Sequence, residues 1–158
     1  MKPSILFVCL GNICRSPAAE GILRNFAQKE GMDLRIESCG LGDWHQGNLP
    51  DERMREASQN RGFTLTSRAQ KIKPEFFDQF DLIFVADQKV LRELYKFAEK
   101  PEHKAKMHSM THFSSAFKGQ DVPDPYYGGE SGFEHVLDML EDSCEGIISH
   151  IKAKNCTR

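Results

Sequence analysis

A chain of 158 residues with 21 Lys and Arg against 23 Asp and Glu, a formal net charge of −2, has the length of one domain and can bury about 69% of its extended surface without staples. Its longest uncharged apolar run, Ile5 to Leu10, is far short of the ~20 residues that cross a bilayer, and its near-neutral balance lacks the basic face that nucleic-acid backbones require. The expectation is no membrane insertion and no nucleic acid. Met1-Lys2-Pro3 leads into too short an apolar run for a secretory signal, and five cysteines, an odd number, read as thiols of a cytoplasmic protein rather than a disulfide framework.

Ser4 to Cys9 has a buried-strand pattern. Ser16-Pro17 followed by Ala18 to Glu30 predicts a helix with serine as N-cap and proline at its first position, stopped by Gly31. Leu34 to Ser38 alternates as a second strand, Asp51 to Arg61 predicts a helix capped by Asp51 and closed by Gly62, and Lys73 to Phe80 a short helix. Leu82 to Ala86 is a third buried strand. Asp87 caps a helix running to Lys100 with Pro101 beyond it, Lys106 to Ser109 is a fourth strand, and Ser131 to Lys154 a long terminal helix. Strands alternating with helices imply an α/β fold: one domain over residues 1–158, a small three-layer αβα sandwich on a four-stranded parallel sheet.

In such sheets ligands bind beyond the carboxyl ends of the strands. The first strand-to-helix passage reads Cys9-Leu10-Gly11-Asn12-Ile13-Cys14-Arg15-Ser16-Pro17, a cysteine and an arginine separated by five residues. Curled, its successive backbone N–H groups converge on one point with the positive end of a helix behind them, which is a cradle for an anion. Gly11 permits a backbone conformation closed to other residues, and Asn12 tolerates the left-handed region and can tie the loop through its side chain. Arg15 offers a planar fork matched to two oxygens of a tetrahedral oxyanion. Cys9 would lie beneath, where helix end, amides and guanidinium all favour its thiolate, an in-line nucleophile toward phosphorus. Ser16 could hydrogen-bond that sulfur. This makes residues 10–16 a phosphate loop between the first strand and the first helix, and the chemistry phosphoryl transfer.

Phosphoryl transfer from an alcohol or phenol also needs a proton donor for the leaving oxygen. Val122-Pro123-Asp124-Pro125-Tyr126-Tyr127 holds a carboxyl between two prolines, beside two rings that could wall a slot for an aromatic substrate. Taken alone, this stretch is a turn; only its coincidence with the Cys9 loop makes it catalytic.

These two motifs, in this order, resemble the low-molecular-weight protein tyrosine phosphatase family, and the likeness extends through Glu37-Ser38-Cys39-Gly40, Trp44 to Arg53, Phe80-Asp81-Leu82-Ile83 before Asp87, and Phe133-Glu134. The resemblance implies a phosphatase without metal or cofactor, acting in the cytoplasm on phosphotyrosine-containing proteins as a monomer or weak dimer. It implies Cys9 as nucleophile, Arg15 as phosphate ligand and Asp124 as general acid and then base. Asn12, Ser16 and Ser38 would hold the loop, and Ile13, Trp44, Tyr126 and Tyr127 would line the substrate cleft. Cys14 matches a second loop thiol, implying a reversible Cys9–Cys14 disulfide that protects the nucleophile. Ile13 stands where a related arginine-phosphate phosphatase carries threonine, which favours phosphotyrosine. Two positions depart from the family: Ser67-Arg68-Ala69-Gln70 replaces a common His-x-Ala-Arg stretch, leaving Ser67 or another group to support the loop, and Ala86 stands where methionine is frequent.

Two other functions share parts of this pattern. A thiol-dependent arsenate reductase would need further cysteines delivered to Cys9, and residues 80 to 100 contain none. A non-catalytic phosphotyrosine-binding protein would need no Asp124. His103, His108 and His112 lack an accompanying carboxylate or cysteine for a zinc site and are read as solvated or packed imidazoles.

Overall fold

The first strand, β1 (Ser4–Cys9), is buried along its whole length, because both of its edges and both of its faces are covered. The parallel strands β2 (Arg35–Gly40) and β3 (Leu82–Val85) pair with it on either side, and β4 (Met107–Ser109) completes the order β2-β1-β3-β4. The structure, a computed structural model, describes residues 2–98, 100–127 and 130–156, with 127, 130, 131, 155 and 156 described by backbone alone.

Successive residues of β1 point to opposite faces, and each set meets its own helical layer. Ile5, Phe7 and Cys9 pack with α1 (Arg15–Lys29), α2 (Glu52–Asn60) and α6 (Glu130–Cys156), the last contributing Phe133, Val136, Leu137, Leu140, Cys144, Ile147, Ile148 and Ile151 at helical spacing. Leu6 and Val8 pack on the other side with α3 (Phe76–Gln79) and α4 (Gln88–Phe97) through Phe76, Phe77, Phe80, Val90 and Leu94. The expected three-layer sandwich on four parallel strands is therefore the observed one. Among the described residues no helix is long and apolar enough to cross a membrane.

Where element ends differ from expectation, the cause is local. The helix α1 begins at Arg15 with Cys14 as an N-cap that makes no side-chain bond; Ser16, expected to cap it, lies inside the first turn with its hydroxyl committed to Cys9 and Asn12. The strand β2 runs on to Gly40 because Cys39 and Gly40 pair with Val8 and Cys9. Asp87 caps α4 as expected, accepting from the Val90 amide at 2.8 Å, but the helix stops at Phe97. Lys100, extended at φ −114° and ψ 145°, precedes Pro101, which opens the separate short helix α5 (Pro101–Lys104); a residue before proline is held out of the helical region.

His103, His108 and His112 do not converge. His103 pairs with Asp78 at 2.7 Å and stacks on Phe77, whereas His108 of β4 stacks on His112, and Phe113 stacks on His150 of α6, with ring centroids 4.7 and 4.1 Å apart. Burial lowers the pKa of His108, and neighbouring His112 and His150 lower it further; burial, Lys154 and His112 lower that of His150. The folded chain thus disfavours protons that the unfolded chain binds, so stability is full above the ordinary histidine value of 6.5 and is lost as pH falls below it. Thermal unfolding followed from about pH 7.5 down to about pH 5.5, the range in which imidazoles titrate, is expected to show a fall in midpoint that shrinks in His108→Gln; the same fall in both chains would contradict the assignment.

Candidate active site

The loop from Cys9 to Ser16 is ordered by one side chain. Asn12 has φ 60°, the left-handed region, which its short amide side chain tolerates; Gly11, expected to need such a conformation, has none. The Gln70 backbone N–H can only donate, and it meets Asn12 Oδ1 at 3.0 Å. That contact fixes the amide orientation, so Asn12 Nδ2 donates to Ser16 Oγ at 2.8 Å and to Ser38 Oγ at 3.0 Å. Ser38 passes its own hydrogen to Glu20, whose other oxygen accepts from Arg24 at 2.8 Å. Ser16, having accepted, has one hydrogen to give, and Cys9 Sγ at 2.9 Å is nearer than the Cys39 carbonyl at 3.5 Å. The Asn12 N–H adds a second contact to the sulfur at 3.3 Å. Two donors thus converge on a buried sulfur.

The support left open by the departure at Ser67 comes from Gln70. Its backbone holds Asn12, and its side-chain amide donates to the Ser38 carbonyl at 2.9 Å. Gly40 contributes by its lack of a side chain: a Cβ there would lie 3.0 Å from both Gly11 C and Leu10 O and 3.1 Å from Asn12 N. These are backbone atoms with little freedom to retreat.

Arg15, the first residue of α1, is 3% exposed. Its Nη1 donates to Asp87 Oδ2 at 2.7 Å and to the Val122 carbonyl at 3.0 Å, and its Nη2 lies 3.7 Å from Asp124 Oδ2. Burial alone would weaken its hold on the proton, but Cys9, Asp87 and Asp124 outweigh it and raise the pKa above the ordinary value. Asp87 was legible only as a helix cap. Its second oxygen anchors the guanidinium, and the available signal was its position at the carboxyl end of the third strand.

Asp124 sits on the loop that leaves β3's neighbourhood through a Val122 N–H to Ala86 carbonyl bond of 2.8 Å. Its Oδ1 accepts from the Tyr126 amide at 3.0 Å. Cys9, Arg15 and Asp124 all border one cleft of about 260 Å³. Leu10, Ile13, Trp44 and Tyr126 supply apolar surface, with Cys14 and His45 beside them. Trp44 stands largely in solvent, 66% exposed. The expected cleft residue Tyr127 has its side chain outside the described residues. His45 was not singled out in the sequence; it faces Tyr126 at 6.2 Å between ring centroids and closes over Gly11. Cys14 is buried in the cleft wall, and burial, with Asp51, Cys9 and Asp124 adding to it, pushes its thiol far above the ordinary range. Among the described residues no group of three His, Cys, Asp or Glu could hold a metal ion.

A buried sulfur that meets the Asn12 amide and the Ser16 hydroxyl, with a fixed guanidinium and a carboxyl bordering the same cleft, is an arrangement that can receive a tetrahedral oxyanion. A sequence profile of the low molecular weight phosphotyrosine protein phosphatases matches residues 4–157. The chain is 40% identical over 151 residues to the low molecular weight phosphotyrosine protein phosphatase of Schizosaccharomyces pombe, covering 93% of this chain and 96% of that one. Its structure is similar to a protein tyrosine phosphatase from Entamoeba histolytica, with TM-score 0.92 and 38% identity over 98% of this chain and 99% of the other. It is also similar to a Drosophila arginine phosphatase, with TM-score 0.87 and 31% identity over 96% and 98% of the two chains. The chain belongs to the low molecular weight phosphotyrosine protein phosphatase family.

Gly40→Ala tests the close approach of β2 to the loop. Inorganic phosphate, measured by titration calorimetry, is expected to bind about tenfold more weakly, ~1.4 kcal/mol, with the sheet intact by circular dichroism; unchanged affinity would show that the loop does not depend on this contact.

Proposed function

We propose that this single phosphatase domain hydrolyses phosphotyrosine in proteins through a cysteinyl-phosphate intermediate. The observation that carries the reading is Cys9 Sγ, held by the Ser16 hydroxyl and the Asn12 amide at the floor of the cleft that Arg15 and Asp124 also border.

With Nη1 committed to Asp87 and Val122, the Nε and Nη2 edge of Arg15 is left for two phosphoryl oxygens, and the amides of Leu10 to Ser16 take the others. The Cys9 thiolate attacks phosphorus in line: the S–P bond forms, the P–O bond to the tyrosine breaks, and Asp124 gives its proton to the departing phenol oxygen. Asp124, now a carboxylate, takes a proton from water; the water oxygen attacks phosphorus, the S–P bond breaks, and inorganic phosphate leaves with the thiolate restored. The Ser16 hydrogen bond makes the sulfur a better leaving group in this second step. Positive charge comes from Arg15, the amides and the helix end, so the residues require no metal. Leu10, Ile13, Trp44 and Tyr126 form apolar walls suited to a flat phenyl ring, which favours phosphotyrosine over phosphoarginine.

Asp124→Ala is expected to lower kcat on phosphotyrosine peptides by about 10²- to 10⁴-fold, the span of general acid catalysis, with phosphate affinity nearly unchanged. Arg15→Ala should lose both. Equal losses of phosphate binding in the two variants would overturn the division of roles, and turnover surviving in Cys9→Ser would overturn the intermediate.

The cytoplasm is the compartment we propose, with the described cysteines Cys9, Cys14, Cys39 and Cys144 as free thiols. There Cys14 protects Cys9: peroxide converts the Cys9 thiolate to a sulfenic acid, the Cys14 thiol attacks that sulfur, and a disulfide forms with loss of water. Both sulfurs border the same cleft, which supports the pairing. Peroxide-treated native chain should recover its activity in dithiothreitol, whereas Cys14→Ser should not; equal recovery would remove Cys14 from the scheme.

A further inference from the structure

Asp124 lies on a half-exposed loop, and its use as an acid, on which this inference rests, requires its carboxyl to be held at a set distance from the leaving oxygen. Two prolines stiffen its backbone, and Val122, two residues before it, is held by Ala86 and by Arg15. On the other side of Asp124 a second tie runs through Arg53. The Asp51 backbone N–H donates to the Ile13 carbonyl at 2.7 Å, joining the phosphate loop to the start of α2. The Asp51 carboxylate caps that helix, accepting from the Arg53 and Met54 amides at 2.8 and 3.4 Å, and it also grips the Arg53 side chain at Nε and Nη2, 3.2 and 3.1 Å. Held as a fork, Arg53 directs Nη2 to the Tyr126 carbonyl at 3.0 Å. Its guanidinium lies over two rings, 5.5 Å from the Tyr126 centroid and 4.9 Å from that of Phe133. Tyr126 is the middle residue of the short 3₁₀ turn Pro125–Tyr127, and its own N–H donates to Asp124 Oδ1.

One peptide unit after another, the acid is therefore referenced to the loop that holds the phosphate: Ile13, Asp51, Arg53, Tyr126, Asp124. We infer that Arg53 is a positioning residue for the general acid, which sets the reach of Asp124 by fixing the turn that carries it. The guanidinium is needed as a fork, because it must engage Asp51 with two nitrogens while one of them also serves Tyr126; an ammonium supplies charge without that plane. Arg53 is itself half-exposed, its side chain 46% accessible. An ion pair so placed contributes little to folding, so geometry rather than stability is the property at stake.

The test reads the leaving group. Proton donation matters greatly when the departing phenol is weakly acidic, as tyrosine is, and little when it is a nitrophenol. In Arg53→Met, kcat/KM is expected to fall about tenfold on phenyl phosphate, a fraction of the general acid's ~10²- to 10⁴-fold contribution. It should fall less than about twofold on p-nitrophenyl phosphate, with inhibition by inorganic phosphate and the thermal midpoint unchanged. Arg53→Lys should recover only part of the loss. A fall of equal size on both substrates, or none on either, overturns the inference. Asp124→Ala, run in parallel, separates the two claims: no leaving-group dependence there overturns the acid assignment itself, whereas a steep dependence there with a flat one in Arg53→Met overturns the positioning role alone.

Discussion

The site depends on the conformation of Asn12. Its left-handed backbone turns the loop back on itself, and its amide, oriented by the Gln70 N–H, donates to two hydroxyls at once. Each hydroxyl then has one direction left for its own hydrogen, Ser38 toward Glu20 and Ser16 toward the Cys9 sulfur. The polarity of five buried groups is thus set by a single backbone donor that cannot be reversed. Buried networks of this kind stabilise only when every member is satisfied, and here the last hydrogen in the chain falls on the atom where negative charge is wanted.

Charge is arranged by the same economy. Arg15 is almost fully buried, which costs free energy unless opposite charge is near. Asp87, from the end of β3, takes one nitrogen and so selects the edge that faces the cleft; Asp124, from the next loop, lies close to the other. Three passages at the carboxyl ends of parallel strands thereby deliver a thiol, a guanidinium with its anchor, and a carboxyl to one small cleft. The topology explains the convergence: β1 is central, β3 is its neighbour, and both release their chains on the same side of the sheet.

Much of this was legible in the sequence because each part had a local signature. A nonalternating apolar run gave β1, Asp51 and Asp87 announced their helices as caps, and cysteine and arginine with five residues between them, at the passage from strand to helix, marked the loop. What was not legible depended on contacts between distant segments. Gln70 and Glu20 look like surface polar residues until the fold brings β2 and the following loop beneath Asn12. His45 enters the cleft from a loop with no periodic pattern. Serine before proline signalled an N-cap, yet the hydroxyl's better partners were the sulfur and the Asn12 amide, so the helix starts one residue before it. Gly146, inside α6, also has a cause in a distant segment: a Cβ there would lie 1.8 Å from the Phe113 carbonyl oxygen, so glycine lets the segment after β4 pass.

The claim underlying all of this is that the loop holds a tetrahedral oxyanion directly above the Cys9 sulfur. A crystal structure of the chain with vanadate tests it most directly. The account requires a vanadium–sulfur bond to Cys9, with oxygens shared between the amides of residues 10–16 and the Nε and Nη2 edge of Arg15, while Nη1 stays on Asp87. Vanadate bound elsewhere, or bound in the cleft with Cys9 uncoordinated and Arg15 withdrawn, would contradict it.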